Sequence, residues 1–495
     1  MPHDSVARKP EAVGGSAVCP ADMTDRVQRP RARVGVFAIG LEAYWDQFDG
    51  LKSRLEGYQT DVEARLSSCD VEIISAGLVD TPVKARLAAE LFVREAVDLI
   101  VCHVATYATS SQVLPVVQGR RVPVLVLNLQ PVDRLDYEQV DTAEWLANCC
   151  ACCVPELSNA FARADIDFNV VSGMLYDDEG PAWRRIKDWC HAATAVCALR
   201  GARIGFLGHT YPGMLDMYSD FTMHHGQLGL HVEILEMCDL QTRVEAATED
   251  QIDAKIADIR SAFEILPGVD DEALRWSARV AVGLDRLVAD FDLQGLAYYY
   301  RGVDGNDYEA LGAGLIVGNS LLTARGIPCA GEGDLKTCVA MLLMDALGAG
   351  GSYTEFYAMD FVDDFLLMGH DGPGHVAISE QRPQLRQLDV YHGKAGAGIS
   401  VEFKVAAGPV TILGLTQTRA GDLKFVAAQG ESIPGPIMQI GNTNSRLSFS
   451  LDPASFMDAW CAEGPTHHVA LGVGHQVPRL KMAARLLNLK LATTG

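Results

Sequence analysis

From Arg33 onward the chain alternates short apolar runs with amphipathic ones. "VGVFAIG" is followed by "GLKSRLEGYQTDVEARLSS", then "VEIIS", "TPVKARLAAELFVREA", "DLIVCHVAT" and "VPVLVLN". Unbroken β-branched runs of strand length belong to strands covered on both faces, and the helical segments between them supply the covers. The pattern predicts a doubly wound α/β domain over residues 31–198. A second alternation, "ARIGFLG", "HVEILE", two helical stretches across 248–291 and "GLAYYY", predicts another α/β domain over 199–327. After the helix "DLKTCVAMLLMDALGA" the pattern changes. "FLLMG", "HVAIS", "ISVEFKV", "PVTILGLTQT" and "DLKFVAAQGES" follow one another with turns and no intervening helix. The expected fold is therefore α/β: two doubly wound α/β domains, then a mainly antiparallel, barrel-like β domain over 328–495 that closes on a helix around "RLKMAARLLNL".

Composition narrows the function. Residues 1–30 contain no apolar core of a secretory signal and read as a disordered tail. No run approaches the roughly 20 apolar residues that span a bilayer, so the expectation is a cytoplasmic protein. The 495 residues carry a formal charge of −23, which argues against nucleic acid and anionic membrane surfaces and suits divalent cations and neutral substrates. The 13 cysteines read as reduced thiols. Four of them, Cys149, Cys150, Cys152 and Cys153, crowd into "NCCACCV". Thiols this close cannot easily surround one ion, so they read as small buried apolar residues, with a redox or metal role as the alternative.

No G-x-G-x-x-G follows the first strand and no G-x-x-x-x-G-K-[ST] occurs, which removes the usual support for nucleotide binding. The loop after the first strand carries Glu42, Tyr44 and Trp45, and the loop after the third carries Thr106 and Tyr107. Candidate chemistry lies mostly beyond Arg301: Glu309 in "DYEALG", Glu332 and Asp334 in "CAGEGDLKT", Asp360 in "FYAMDF", and His467 and His468 in "PTHHVALGVGH". Carboxylates with imidazole are ligands for Mn²⁺, Mg²⁺ or Co²⁺. Gly331 and Gly333 leave room for a ligand to approach the backbone beside Glu332. Asp334 stands where it either caps the following helix or joins the metal. His467 and His468 point in opposite directions if extended, so one of them at most is expected to reach a given site. His370 and His375 in "MGHDGPGH" are further imidazoles.

"CAGEGDLKT", preceded by "YEALGAGLIVGNSLLTARGIP" and followed far downstream by "HH", resembles the L-arabinose isomerase and L-fucose isomerase superfamily over most of the chain. The resemblance implies a metal-dependent aldose-ketose isomerase that acts on a free pentose or 6-deoxyhexose through an enediol, with Mn²⁺ or another divalent ion as cofactor. It gives Glu309 as the first metal-binding glutamate, Glu332 as the second and His468 as the histidine, with Glu309, Glu332 and Asp334 as acid/base groups. Arabinose-type members carry a further histidine where Asp360 stands. In fucose-type members the second motif uses an aspartate, which would make Asp334 the ligand, and His370 and His375 are substitutes for the missing histidine. The resemblance further implies a homo-oligomer, trimer or hexamer, in which Glu42, Tyr44 and Trp45 contact sugar in a neighbour's site, with Asp360 and His370 also near substrate. The competing readings are an epimerase or decarboxylase on a sugar acid, which Lys336 or Arg301 would favour, and a non-catalytic sugar-binding protein.

Overall fold

A computed structural model describes residues 26–119, 122–301, 306–388 and 398–495. The first five strands are β1 (Arg33–Ile39), β2 (Glu72–Val79), β3 (Leu99–His103), β4 (Val124–Gln130) and β5 (Phe168–Met174). They form one parallel sheet in the order β2-β1-β3-β4-β5. Strand periodicity explains its two covers. Val34, Val36 and Ala38 pack with Leu51, Leu55, Trp183 and Ile186 of the helices Leu51–Ser67 and Pro181–Leu199, while Phe37 and Ile39 face Ala85, Phe92, Val113 and Leu157 on the other side. The doubly wound domain is as the pattern predicts.

The next strands are β6 (Arg203–Gly208), β7 (His231–Leu235), β8 (Glu264–Ile265), β9 (Gly295–Tyr299) and β10 (Cys329–Ala330). Four of them make a second parallel sheet, β10-β9-β6-β7. The remaining strands are β11 (Ser352–Asp360), β12 (Phe365–His370), β13 (Gln384–Leu388), β14 (Gly398–Glu402), β15 (Gly408–Gln417), β16 (Leu423–Ile433), β17 (Thr443–Phe449), β18 (His468–Val473) and β19 (Lys490–Thr494). β8 leaves the central layer and pairs with β13, which pairs with β14. The last sheet runs β15-β18-β11-β12-β17-β16-β19, and a further pairing of β15 with β16 closes six of its strands into a ring. All its pairs are antiparallel except β16 with β19. The barrel-like expectation is met.

Between these layers lies the helix Leu335–Ala346, "LKTCVAMLLMDA", buried over nearly its whole length. A helix apolar on every side belongs inside a protein, and this one presents its N-terminus to the candidate site. "HVAIS", expected as a strand, is instead a short 3₁₀ turn at Val376–Ile378, since the Gly-Pro-Gly just before it breaks the extended run. The expected tail falls mostly on residues 1–25, outside the described residues. Arg26 and Arg29 lie against the fold, pairing with Asp345 at 2.7 and 2.5 Å. Among the described residues no helix is long and apolar enough to cross a membrane.

Candidate metal-binding site

β10 runs straight into the turn Gly331–Gly333, and the chain there adopts a conformation that few sequences tolerate. Glu332 has φ 58° and ψ 11°, left-handed for a non-glycine residue, and Gly333 follows at φ 68°. Such a conformation costs on the order of 1 kcal/mol and survives where neighbours impose it. Here the neighbour is the central domain's own loop. A Cβ on Gly333 would lie 2.5 Å from the His209 carbonyl oxygen and 2.8 Å from Thr210 Cα, and Tyr211 N–H donates to the Glu332 carbonyl at 2.9 Å. The room at Gly333 is thus filled by protein rather than ligand. Beside it lies a cavity of about 380 Å³ lined by Phe206, His209, Thr210, Tyr218, Phe221 and Gly333, within the range of small-molecule sites.

Asp334 performs two tasks. Its Oδ1 accepts from Thr337 N–H at 3.0 Å as the N-cap of the buried helix, and its Oδ2 lies 2.7 Å from the Thr337 hydroxyl and 3.1 Å from His468 Nδ1. Burial opposes its ionisation, but the hydrogen bond and charge of His468 and the Thr337 donors outweigh it and lower its pKa. A carboxylate only accepts, so His468 Nδ1 presents a proton to Asp334, and the Tyr353 hydroxyl lies 2.8 Å from the same nitrogen and 3.0 Å from Nε2.

His468 opens β18, where its Cα partner across the antiparallel ladder is Glu355 of β11. Three groups converge on it. His370 Nε2 lies 3.1 Å from His468 Nε2. Glu355, His370 and His468 each offer a ligand atom within 4.8 Å of the others, as do Glu332, His467 and His468. Glu332 Oε2 lies 3.8 Å from His468 Nε2 and, though buried, has no hydrogen-bond partner. Tyr353 packs its ring on both His370 and His468, centroids 4.5 and 4.4 Å away, and its hydroxyl donates to the Gly331 carbonyl at 3.2 Å. Burial, then the charges of Asp334 and Glu332, push its pKa well up, so it stays neutral. Burial likewise raises the pKa of Glu355, with Glu332 and Asp371 adding to it against His468 and His467.

The donor set fits a divalent ion. Two groups of carboxylate and imidazole share His468, one Glu332 oxygen is orphaned, and the His370 and His468 Nε2 atoms lie 3.1 Å apart. Asp334 lies behind His468 Nδ1 at 3.1 Å, whereas His370 Nδ1 accepts from Gly372 N–H at 2.9 Å, with Asp371 3.2 Å away. Carboxylate-backed imidazoles are what metal ligands need, because the backing fixes the tautomer and raises basicity.

Of the residues expected from sequence, the structure brings together Glu332, His370 and His468, with Asp334 orienting His468 from behind. Glu309 sits half-buried on the helix Asp307–Ala313, outside both three-residue groups. Asp360 ends β11 and accepts from Val362 and Asp363 N–H in an open turn. Glu42, Tyr44 and Trp45 form a short 3₁₀ turn at the carboxyl end of β1, the indole donating to Asp80 at 3.0 Å. His375 pairs with Asp345 at 3.2 Å. Cys149, Cys150 and Cys153 are buried and Cys152 is exposed, and burial with the Cys152 hydrogen bond pushes the Cys149 thiol up to about 12. The opposed orientation expected of His467 and His468 is corrected: their ring centroids lie 3.8 Å apart, because the strand begins only at His468 and its alternation does not reach back. Glu355 and Asp371 were missed. A period-2 reading of "SYTEFYAMD" paired with "HHV" would have put Glu355 beside His468.

Fold and site together describe an α/β protein with carboxylate and imidazole groups that could hold a metal ion. Residues 219–350 match the family model described as the L-arabinose isomerase central domain. The chain is 24% identical over 412 residues to an L-arabinose isomerase of Nocardioides sp., covering 79% of each chain. It is 23% identical over 458 residues to that of Acidothermus cellulolyticus, covering 86% of this chain and 89% of the relative. To L-arabinose isomerase 1 of Bacillus licheniformis it is 24% identical over 379 residues, 75% of each. The chain is thus similar to L-arabinose isomerases over most of its length.

Proposed function

We propose that the protein is a divalent-metal-dependent aldose-ketose isomerase acting on a free pentose or 6-deoxyhexose. The observation that carries this reading is that two groups of possible ligands meet at His468, Glu355 with His370 and Glu332 with His467, with Asp334 behind the His468 ring. Residues of these groups would hold the ion. Mn²⁺, or Mg²⁺ or Co²⁺ in its place, would supply Lewis acidity to the O1 and O2 oxygens of the sugar. The rest is proton traffic. Glu332 Oε2, without a partner of its own, takes the proton from C2. The C2–H electron pair becomes the C1=C2 bond of an enediol, and the carbonyl pair moves to O1. Return of that proton to C1 and transfer of the O2 hydroxyl proton to O1 give the ketose, so the formula is unchanged and no oxidant is needed. Asp334 keeps the His468 tautomer fixed, and Tyr353 walls the rings off from water on one side.

Lys336 speaks against the sugar-acid alternative. Its buried ammonium donates to the Tyr218 carbonyl at 3.1 Å and to that of Asp216, leaving it poorly placed to receive a substrate carboxylate. Likeness to the L-arabinose isomerases supports a cytoplasmic homo-oligomer, trimer or hexamer, with the exposed Glu42 turn and its neighbours Tyr44 and Trp45 facing another subunit's site; sedimentation of a monomer would remove that part. The test of the activity is an NMR time course in D₂O with Mn²⁺ and a panel of L-arabinose, L-fucose and D-arabinose. Ketose that a chelator abolishes is expected. Metal binding with no ketose from any aldose would sink the reading.

A further inference from the structure

The segment "NCCACCV" takes no part in the site described above, and the fold gives its four thiols different surroundings. It links the helices Thr142–Ala147 and Val154–Arg163 beside the carboxyl ends of β1 and β3, where the strand order of the first sheet changes direction. Tyr44, from the loop after β1, and Tyr107, from the loop after β3, both lie near Cys149, Cys152 and Cys153. Cys150 and Cys153 belong to the core: they pack with Val113, Val154 and Leu157, and the Cys153 thiol donates to the Thr106 carbonyl at 3.8 Å. The other two face each other. Cys149 is buried, Cys152 is exposed, and their thiols are in hydrogen-bond contact across the turn.

Spacing and contact decide what this pair can do. Among the described residues the cysteines enter no group of three ligand atoms close enough for a metal ion, so no zinc site is built here. Two touching thiols, one of them open to solvent, suit a disulfide. Cys69 and Cys190 also touch, but both are buried and out of reach of a solute. We infer that Cys149 and Cys152 form a redox-active dithiol that a low-molecular-weight disulfide oxidises. The Cys152 thiolate attacks one sulfur of the solute disulfide, whose other sulfur leaves as a thiolate with the bonding pair. The Cys149 thiolate then attacks the Cys152 sulfur and expels the second solute thiolate. The two protons given up by the protein go to the two departing thiolates, so one disulfide is reduced to two thiols and one is formed. Burial, with the Cys152 hydrogen bond, holds the Cys149 thiol up at about 12. In strongly oxidising C-x-x-C pairs a stabilised thiolate favours the reduced form. That stabilisation is missing here, so the disulfide, once closed, persists.

The test treats the reduced full chain with glutathione disulfide, quenches with acid, alkylates the free thiols in denaturant and weighs the tryptic peptide 135–163, which holds all four cysteines. The wild type should lose two alkyl groups and retain no glutathione, and dithiothreitol should restore both groups. Cys149→Ser should hold glutathione on Cys152, because no second thiol displaces it, while Cys152→Ser should stay fully alkylated and carry none. Circular dichroism checks that each variant folds. Glutathione left on wild-type Cys152, or a loss of two alkyl groups that survives in Cys152→Ser, overturns the pairing, and an unchanged wild-type peptide overturns the dithiol altogether. Should the variants not fold, fragmentation of the oxidised wild-type peptide decides: a bond joining Cys149 to Cys152 supports the inference, and any other bond overturns it. None of these readouts involves metal or sugar, so the proposed isomerase stands or falls separately.

Discussion

Gly333→Ala tests how the site is built. Gly333 has φ 68°, where alanine costs roughly 1–2 kcal/mol. Its new methyl would also stand 2.5 Å from the His209 carbonyl oxygen and 2.8 Å from Thr210 Cα. Both neighbours are backbone, so no side chain can swing aside, and the loop at 209–210 must retreat. Overpacking of this kind costs about 1–3 kcal/mol, for a total of about 2–5 kcal/mol. At roughly 2–4 °C per kcal/mol for a domain of 150–250 residues, thermal unfolding should begin about 4–20 °C lower. The same movement strains the Tyr211 N–H to Glu332 carbonyl bond, so Mn²⁺ affinity should fall about 10-fold as the carboxylate loses its setting. Differential scanning calorimetry and a Mn²⁺ titration on the same sample measure the two effects. Gly57→Ala is the control: it lies exposed in the helix Leu51–Ser67, with nothing within 4 Å of a new Cβ, and should stabilise by about 0.5–1 kcal/mol. If Gly333→Ala behaves like Gly57→Ala, the claim that the motif is clamped by the central loop is wrong.

Other outcomes follow from the packing around the site. Burial opposes ionisation of Asp345, but the His375 hydrogen bond and the Arg29, His375 and Arg26 charges outweigh it and hold the carboxyl far below the usual range. Its folded pKa lies below the unfolded value of about 3.9, so its stabilisation is complete above about pH 4 and is lost as pH falls through the folded pKa. Asp345→Asn should cost about 3–5 kcal/mol at pH 7, and its melting temperature should vary less with pH below 4 than that of the wild type; parallel curves would refute this. Trp460→Ala removes a buried ring stacked on Phe456 at 6.0 Å and 12° and should cost about 3–5 kcal/mol in urea unfolding. A loss under 1 kcal/mol would mean the C-terminal core is looser than its packing indicates.

The layers were readable in the sequence because unbroken apolar runs such as "VGVFAIG" and "VPVLVLN" need both faces covered, and local pattern alone says so. The turn at Val376–Ile378 was misread for the converse reason: "HVAIS" has strand composition, but Gly372, Pro373 and Gly374 set its conformation. At the site, Glu332 and His468 stood out because glycines or a second histidine marked them. Glu355 carried no such mark, being one polar residue in a strand, and its importance arises from the β11–β18 register. Asp216 belongs to another domain, and only the folded chain brings it to His467. Glu309 shows the opposite case, an acid in a suggestive motif that the fold leaves outside both ligand groups.

The central claim rests on Glu355, which strand pairing brings beside His468. The decisive measurement is ketose formation from L-arabinose by Glu355→Gln beside the wild type, each with Mn²⁺, followed by NMR in D₂O. The account predicts a properly folded variant whose turnover drops at least about 100-fold and whose Mn²⁺ affinity drops with it. Turnover and affinity at the wild-type level in that variant would contradict it.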